Sequence, residues 1–355
     1  MDELLAVADY ERLAEERLEP GPWAYLAGGS GDEWTLRENR AAFERWTFRP
    51  RVLCDVSEIS TETTVLDMRI ELPVVVAPVA YQQLYHPEAE CATARGAAAA
   101  GAGIAVSTFA TRTHEEIAAA SPGLMQWCQL YVLQDRGATR EHLAGAAAAG
   151  CSAVVLTVDT PRLATRERDL RVGFEVPSEL PLPYARATIG DAAQNPADQF
   201  ALLDPSVSWR DLEWIAGEGQ LPVVLKGVVT AEDAELAVEH GAAAVVVSNH
   251  GGRQLDGVPA TLDALPEVAD AVGGRAEVYL DSGIRRGTDV AKALALGARA
   301  VLAGRAPVFG LAVAGEDGVR HVLELLRDEL AQTLSLLGCT SPQELTRAHV
   351  QRSPS

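Results

Sequence analysis

The sequence predicts an α/β protein folded as a closed (β/α)8 TIM barrel, on three observations. Short apolar runs alternate with Ala-rich helical stretches, the pattern of a parallel sheet wrapped in helices. The runs are continuously apolar, as strands buried on both faces must be. There are eight of them, at about 74–77, 103–107, 124–130, 153–158, 223–226, 244–248, 278–281 and 300–303, which favours closure over an open sheet. No Gly-x-Gly-x-x-Gly follows the first run, which argues against a dinucleotide-binding open sheet.

The elements follow in order. Residues 2–17 and 32–45 have helical patterning, and Thr64 to Leu72 alternates as a capping hairpin would. Together they make an N-terminal segment, residues 1–72, ahead of a barrel over 73–340, in one domain spanning 1–355. Within the barrel a unit recurs: an Ala-rich helix, a glycine, then a strand. Gly101, Gly150, Gly241 and Gly297 mark it; glycine closes a helix because it reaches positive φ without a Cβ clash. Residues 175–207 lack clear periodicity and follow the fourth strand, so they are expected to form a mobile lid loop over the barrel mouth. A last helix is expected over 317–337, ending at Gly338.

Composition narrows the function. The net charge is −20, a poor match to a nucleic-acid backbone or an anionic membrane. No run approaches the ~18 apolar residues of a membrane span, and no basic-then-apolar signal segment opens the chain. The five cysteines include no Cys-x-x-Cys pair, so free thiols in a reducing cytoplasm are expected and no metal site is.

Chemistry in such barrels sits at the strand C-termini. The sixth run ends Ser248-Asn249-His250-Gly251-Gly252-Arg253-Gln254-Leu255-Asp256-Gly257. A histidine beside an arginine there reads as a base next to an anion clamp, suited to taking a proton from a carboxylate-bearing substrate. The seventh and eighth ends carry Gly283, Arg285, Gly304 and Arg305, with a helix opening at Pro307. These are the usual loops for a phosphate, supplied with close backbone approach, guanidinium groups and a helix dipole. Lys226 ends the fifth run as a buried ammonium with no evident partner, which calls for an anion or an electron-rich ring. Ser107, Gln129 and Thr157 suit the edge of a heterocycle, although each can equally serve a backbone group.

These segments resemble the FMN-dependent 2-hydroxy acid oxidases and dehydrogenases, the family of glycolate oxidase, lactate oxidase and the mandelate- and hydroxymandelate-oxidising enzymes. The resemblance runs through Tyr25-Leu26-Ala27-Gly28-Gly29, Ala77-Pro78-Val79-Ala80, Gln129-Leu130-Tyr131, Thr157 to Arg162, Lys226-Gly227, Ser248 to Gly257, Asp281 to Asp289 and Gly304-Arg305. It implies a single FMN-binding barrel that oxidises an (S)-2-hydroxy acid to the 2-oxo acid, with O2 reoxidising the flavin to give H2O2. His250 is then the base and Asp159 its orienting carboxylate. Arg166 and Arg253 grip the substrate carboxylate with help from Tyr25, and Tyr131 bonds the substrate hydroxyl. Lys226 lies by the flavin ring, which Pro78, Val79, Ala80, Ser107, Gln129, Thr157 and Ser248 line. Asp281 takes the ribityl chain, and Gly283, Arg285, Gly304 and Arg305 the phosphate. The resemblance also implies a homotetramer.

The chain departs from the family pattern at three places. Ala164-Thr165-Arg166 replaces Gly-Arg-Arg, Phe109 stands where several relatives have Trp or Tyr, and Ser282 replaces a glycine, which is tolerable at negative φ. Tyr81, Phe109 and the small Ala80 point to an aryl or medium-chain substrate, hydroxymandelate-like, with lactate or glycolate as the smaller options. Two other readings stand beside this one. One is an FMN-dependent oxidoreductase acting on a specialised biosynthetic intermediate. The other is a non-catalytic FMN- or phosphate-binding barrel.

Overall fold

The computed structural model describes residues 3–184 and 196–353. Eight parallel strands close into a barrel in sequence order. They are β1 (Val74–Val76), β2 (Gly103–Val106), β3 (Gln126–Leu130), β4 (Ala153–Thr157), β5 (Val223–Val228), β6 (Ala244–Val247), β7 (Glu277–Asp281) and β8 (Ala300–Ala303). Each falls within a few residues of its predicted run. Side chains of alternate positions fill the inside, where Val75, Ala105, Trp127, Val155, Val224, Val246, Tyr279 and Leu302 pack together. The other positions face the helices in a larger shell of Leu, Val and Ala. Both faces are therefore buried, which is why the runs read as continuously apolar.

The hairpin forms over Thr63–Val65 and Met68–Ile70, slightly earlier than the alternation suggested. Its two-residue turn, Leu66-Asp67, has positive φ at both positions (46° and 64°), as a tight hairpin with matching twist requires. Val65 and Ile70 pack against Met125, Trp127 and Tyr279, so the hairpin plugs the end of the barrel away from the strand C-termini.

Ahead of it lie helices Val7–Arg17, Pro20–Ala27 and Trp34–Glu44. The middle one escaped the sequence reading because it is short and rich in Gly and Pro at its start. The last helical run extends over Arg305–Leu337, with non-helical backbone at Ala314 and Gly315. It thus begins before the expected 317, and two residues before Pro307. The kink lets Gly310 and Gly318 pack backbone to backbone, where a Cβ on either would overlap the other.

The predicted lid is partly structured. Residues 185–195 lie outside the described residues. On either side, Leu180 and Leu182, the short helix Pro196–Phe200, and Leu203 are buried against Tyr25, Tyr81, Phe109 and Tyr131. Leu133 and Leu203 form an isolated bridge. No described helix is long and apolar enough to cross a membrane.

Candidate active site

A pocket opens at the strand C-termini, lined from all sides of the barrel mouth, where small-molecule sites of this fold lie. Its wall includes every site residue the sequence named except Ser248 and Asp159. Those two stand just behind it, bonded to residues that do line it.

His250 adopts φ +58°, followed by Gly251 and Gly252 at +68° and +73°. Three consecutive left-handed residues turn the chain sharply as β6 ends, and the strain of a non-glycine residue there is typical of functional sites. His250 Nδ1 lies 2.9 Å from Asp159 Oδ1, and the Thr160 hydroxyl donates to the same oxygen at 2.9 Å. With Nδ1 committed, Nε2 keeps its lone pair for a substrate proton. Burial depresses the His250 pKa; Asp159 pulls the other way, while Lys226 and Arg166 add to the depression, and the net shift is downward. Burial opposes the charge on Asp159, yet His250, Lys226 and Thr160 outweigh it and hold its pKa below the ordinary value. The result is a neutral base beside an ionised carboxylate.

Arg166 and Arg253 converge from two loops. Tyr25, in the helix Pro20–Ala27, faces both: Arg253 lies 4.7 Å and Arg166 5.6 Å from its ring centroid. Arg253 donates to the carbonyls of Tyr25 and Gly28 at 2.6 and 2.9 Å. Among the described residues neither guanidinium has a carboxylate within ion-pair distance, and Arg166 Nη1 is buried with no partner. Burial and the neighbouring Arg253 both disfavour charge on Arg166. A buried guanidinium beside a half-buried one calls for an anion between them.

The strand ends carry the remaining groups. Gln129 takes the backbone N–H of Thr108 on Oε1 (3.0 Å) and donates to Thr157 Oγ1 (3.1 Å), fixing its amide at the pocket wall. Ser107 Oγ accepts from the N–H of Phe109. Lys226 corrects an expectation: its ammonium is not unpartnered. Nζ lies 3.0 Å from Asp281 Oδ2 and donates to Ser248 Oγ at 2.9 Å. Ser248 in turn donates to Asp281 at 2.8 Å. Burial opposes the charge on Lys226, but Asp281 and Asp159 more than restore it. A bulge at Gly227 (φ +117°) follows; a Cβ there would come within 2.8 Å of Asp159 Cβ. The glycine is what lets Asp159 lie against the strand.

Ser282 is a second correction. Its φ is +75°, not negative. Its hydroxyl lies 2.7 Å from Asp281 Oδ1 and 3.0 Å from Asn249 Oδ1, either of which can take its one proton, and accepts from Gly251 N–H at 3.0 Å, bonds that help hold the strained turn. Gly283 is glycine for a different reason from the one its loop suggests: at φ +83° a Cβ would overlap the Asn39 carbonyl of the packed helix. At Gly304, by contrast, a Cβ would meet only Ala77 and Val79 at 3.6 and 3.7 Å. Protein packing does not demand that glycine, so the pocket side is the better reason for it. Arg305 donates to the carbonyls of Leu26, Gly28 and Gly251, and burial and neighbouring arginines press strongly against its charge. Arg285 pairs with Glu11 at 3.2 Å.

Three contributors were missed. Thr160 was readable as the neighbour of Asp159. Gln254, within the His250 motif, ties the two loops by donating to the carbonyls of Asp159 and Arg162 at 3.0 and 2.9 Å. Phe200 lines the pocket from the short helix Pro196–Phe200, and nothing in its local sequence marks it.

The pocket's donor set fits an elongated anion with a ring at one end. Ring-edge partners (Lys226, Gln129, Ser107, Thr157) stand at β2–β5, and guanidinium groups with Gly304 stand at β7 and β8. The FMN-dependent dehydrogenase family matches residues 14–352. The chain belongs to this family. FMN is accordingly its cofactor. Among curated members, "Glycolate oxidase 5" of Oryza sativa subsp. japonica is 48% identical over 356 residues, 99% of this chain and 96% of that protein. "Glycolate oxidase 3" of Arabidopsis thaliana is 47% identical over 355 residues, 98% and 96% of the two. Among solved members, mandelate oxidase with (S)-4-hydroxymandelic acid superposes with TM-score 0.95 at 42% identity, covering 99% of this chain and all of that one.

Proposed function

We propose that the protein oxidises an (S)-2-hydroxy acid to its 2-oxo acid, with O2 as the final electron acceptor and H2O2 as the reduced product. The observation that carries the reading is the pair of carboxylate-free guanidinium groups, Arg166 and Arg253, beside the His250–Asp159 couple. A carboxylate seated between the arginines completes their bonding. Its neighbouring hydroxyl then faces Nε2 of His250, which takes the hydroxyl proton, and Asp159 stabilises the imidazolium so formed. Tyr131, buried and with its phenol held firmly protonated by burial, donates a hydrogen bond to the substrate oxygen. FMN, held by the residues at β1–β8, supplies the two-electron acceptor. Lys226, fixed by Asp281 and Ser248, places a positive charge at the ring-edge end of the pocket. Phe200 and the lid residues around it exclude water from this end.

The substrate's side chain meets Phe109, Tyr131 and Phe200, which line the pocket with ring centroids 5.3–5.8 Å apart; Tyr81, expected there from the sequence, is fully buried behind Phe109 at 6.1 Å and off the pocket wall. An aryl or medium-chain group buries apolar area there that glycolate does not offer. The test is anaerobic mixing with mandelate, 4-hydroxymandelate, lactate and glycolate while the flavin absorption is followed. Bleaching fastest with the aryl acids, and rapid recolouring with peroxide on admitting air, is the expected result. A flavin that none of these acids bleaches overturns the reaction class; slow recolouring overturns O2 as acceptor. A homotetramer is the assembly we infer from the family resemblance, to be read by light scattering.

A further inference from the structure

A second buried polar cluster lies on the outer wall of the barrel. His114 opens the helix His114–Ala120, His142 lies in the helix Arg136–Ala148, and Cys128 stands on β3, packed with Ala146 and Cys151. Their exposures are 0%, 4% and 0%. His142 Nε2 lies 3.3 Å from His114 Nε2 and 3.4 Å from Cys128 Sγ. A ring nitrogen holds either one proton or one lone pair, so His142 Nε2 cannot complete full hydrogen bonds to both neighbours. In an apolar wall such half-satisfied groups cost stability unless something completes them.

We propose that His114 Nε2, His142 Nε2 and Cys128 Sγ bind a thiophilic metal cation, Zn2+ or Cu+. Two imidazoles and a thiolate are a ligand set of borderline and soft cations. Tetrahedral bond lengths for zinc set N···N at about 3.3 Å and N···S at about 3.5 Å, and the two shortest edges of the cluster match them. All three ligand atoms lie within 4.8 Å of one another, and the third edge, from His114 to Cys128, closes toward about 3.5 Å when the cation binds. Each neutral imidazole offers one ring lone pair, and the Cys128 thiol gives up its proton as the thiolate–metal bond forms.

The surroundings suit the site. Gln126 Nε2 lies 2.9 Å from His114 Nδ1 and 3.2 Å from Cys151 Sγ; ligation through His114 Nε2 puts the ring proton on Nδ1 and so requires the amide to turn its oxygen toward it. Cys151 Sγ lies 3.5 Å from that same Nδ1, on the side of the ring away from the cation, so it is outside the ligand set. Tyr184 stacks on His142 with centroids 4.1 Å apart and accepts the His114 backbone N–H, covering the cluster. Glu115 supplies a negative charge that reaches His114. The sequence showed none of this, because the ligands come from three elements with no metal-binding spacing.

The test uses tag-free, FMN-loaded protein carrying Cys54→Ser, which removes the exposed thiol. Zn2+, and Cu+ without oxygen, are each titrated against a chromophoric chelator, and metal per chain is measured. One equivalent of either cation, with a raised thermal midpoint, is expected, and the arm that binds names the cation. Cys128→Ser is expected to weaken binding by about 100-fold or more and to remove the thermal shift, with flavin turnover unchanged. His142→Gln is the second variant. Co2+ loaded into the unsubstituted site is expected to show thiolate-to-metal absorption, a readout that needs no ligand variant. No binding of either cation, Co2+ spectra without thiolate character, or binding by both variants as tight as by the unsubstituted site overturns the proposal.

Discussion

Nδ1 of His250 and Oδ1 of Asp159 stand 2.9 Å apart, across the gap between β4 and β6 that Gly227 keeps open. This contact sets the protonation state of the base. Asp159→Asn retains an oxygen for Nδ1–H but removes the charge that stabilises the imidazolium. The expected loss in kcat is about 10²- to 10⁴-fold. Asp159 raises the His250 pKa against the depression caused by burial, so its removal moves the acid limb of kcat/KM to lower pH. A pH–rate profile of the variant checks both; an acid limb that stays put or moves up contradicts the arrangement.

Arg166 is buried, beside a second arginine, with Nη1 unpartnered. Under the proposed function, such a charge serves substrate binding at the expense of folding stability. Arg166→Met is therefore expected to lower kcat/KM by about 10²- to 10³-fold, the range for losing a buried charge-assisted contact, while the thermal midpoint holds or rises. Steady-state kinetics and a melting curve on the same FMN-loaded sample decide it. A clear fall in the midpoint would mean that the guanidinium holds the fold rather than the substrate.

Lys226 and Asp281 are 5% and 7% exposed and 3.0 Å apart. Lys226→Met strands a buried carboxylate and is expected to cost about 3–5 kcal/mol in urea unfolding. Lys226→Met with Asp281→Asn removes both charges and is expected to recover most of that loss, without restoring turnover. Equal stability of the single and double variants would show that the two charges do not depend on each other.

The strands were legible because burial on both faces leaves an unbroken apolar run, and a helix-ending glycine such as Gly241 marks where each begins. His250, Asp159 and the arginines were legible because a barrel collects strand C-termini at one face, so polar residues after Val247 or Thr157 must meet. What was not legible depends on closure in space. Lys226 looked unpaired because Asp281 lies two strands away, joined through Ser248. Phe200 reaches the pocket from a stretch without periodicity. The pairing of Trp46–Phe48 with Val350–Arg352 joins the two ends of the chain, and no local pattern announces it.

Ser282 offers the sharpest test of strain against bonding. Its left-handed backbone favours glycine, yet its hydroxyl accepts from the Gly251 N–H and gives its proton to Asp281 or Asn249 in a part-buried network. Ser282→Ala keeps the strain and loses the bonds, and is expected to destabilise by about 2–3 kcal/mol. Ser282→Gly loses the same bonds but relieves about 1 kcal/mol of strain, so it should lie between the alanine variant and the wild type. Because Gly251 follows His250, the alanine variant is also expected to lower kcat more than the glycine variant does. Urea unfolding and turnover of the two proteins test the ordering. An alanine variant as stable as the glycine one would mean that the left-handed turn costs this loop nothing, and that Ser282 is held there by its neighbours' packing rather than by its own hydroxyl.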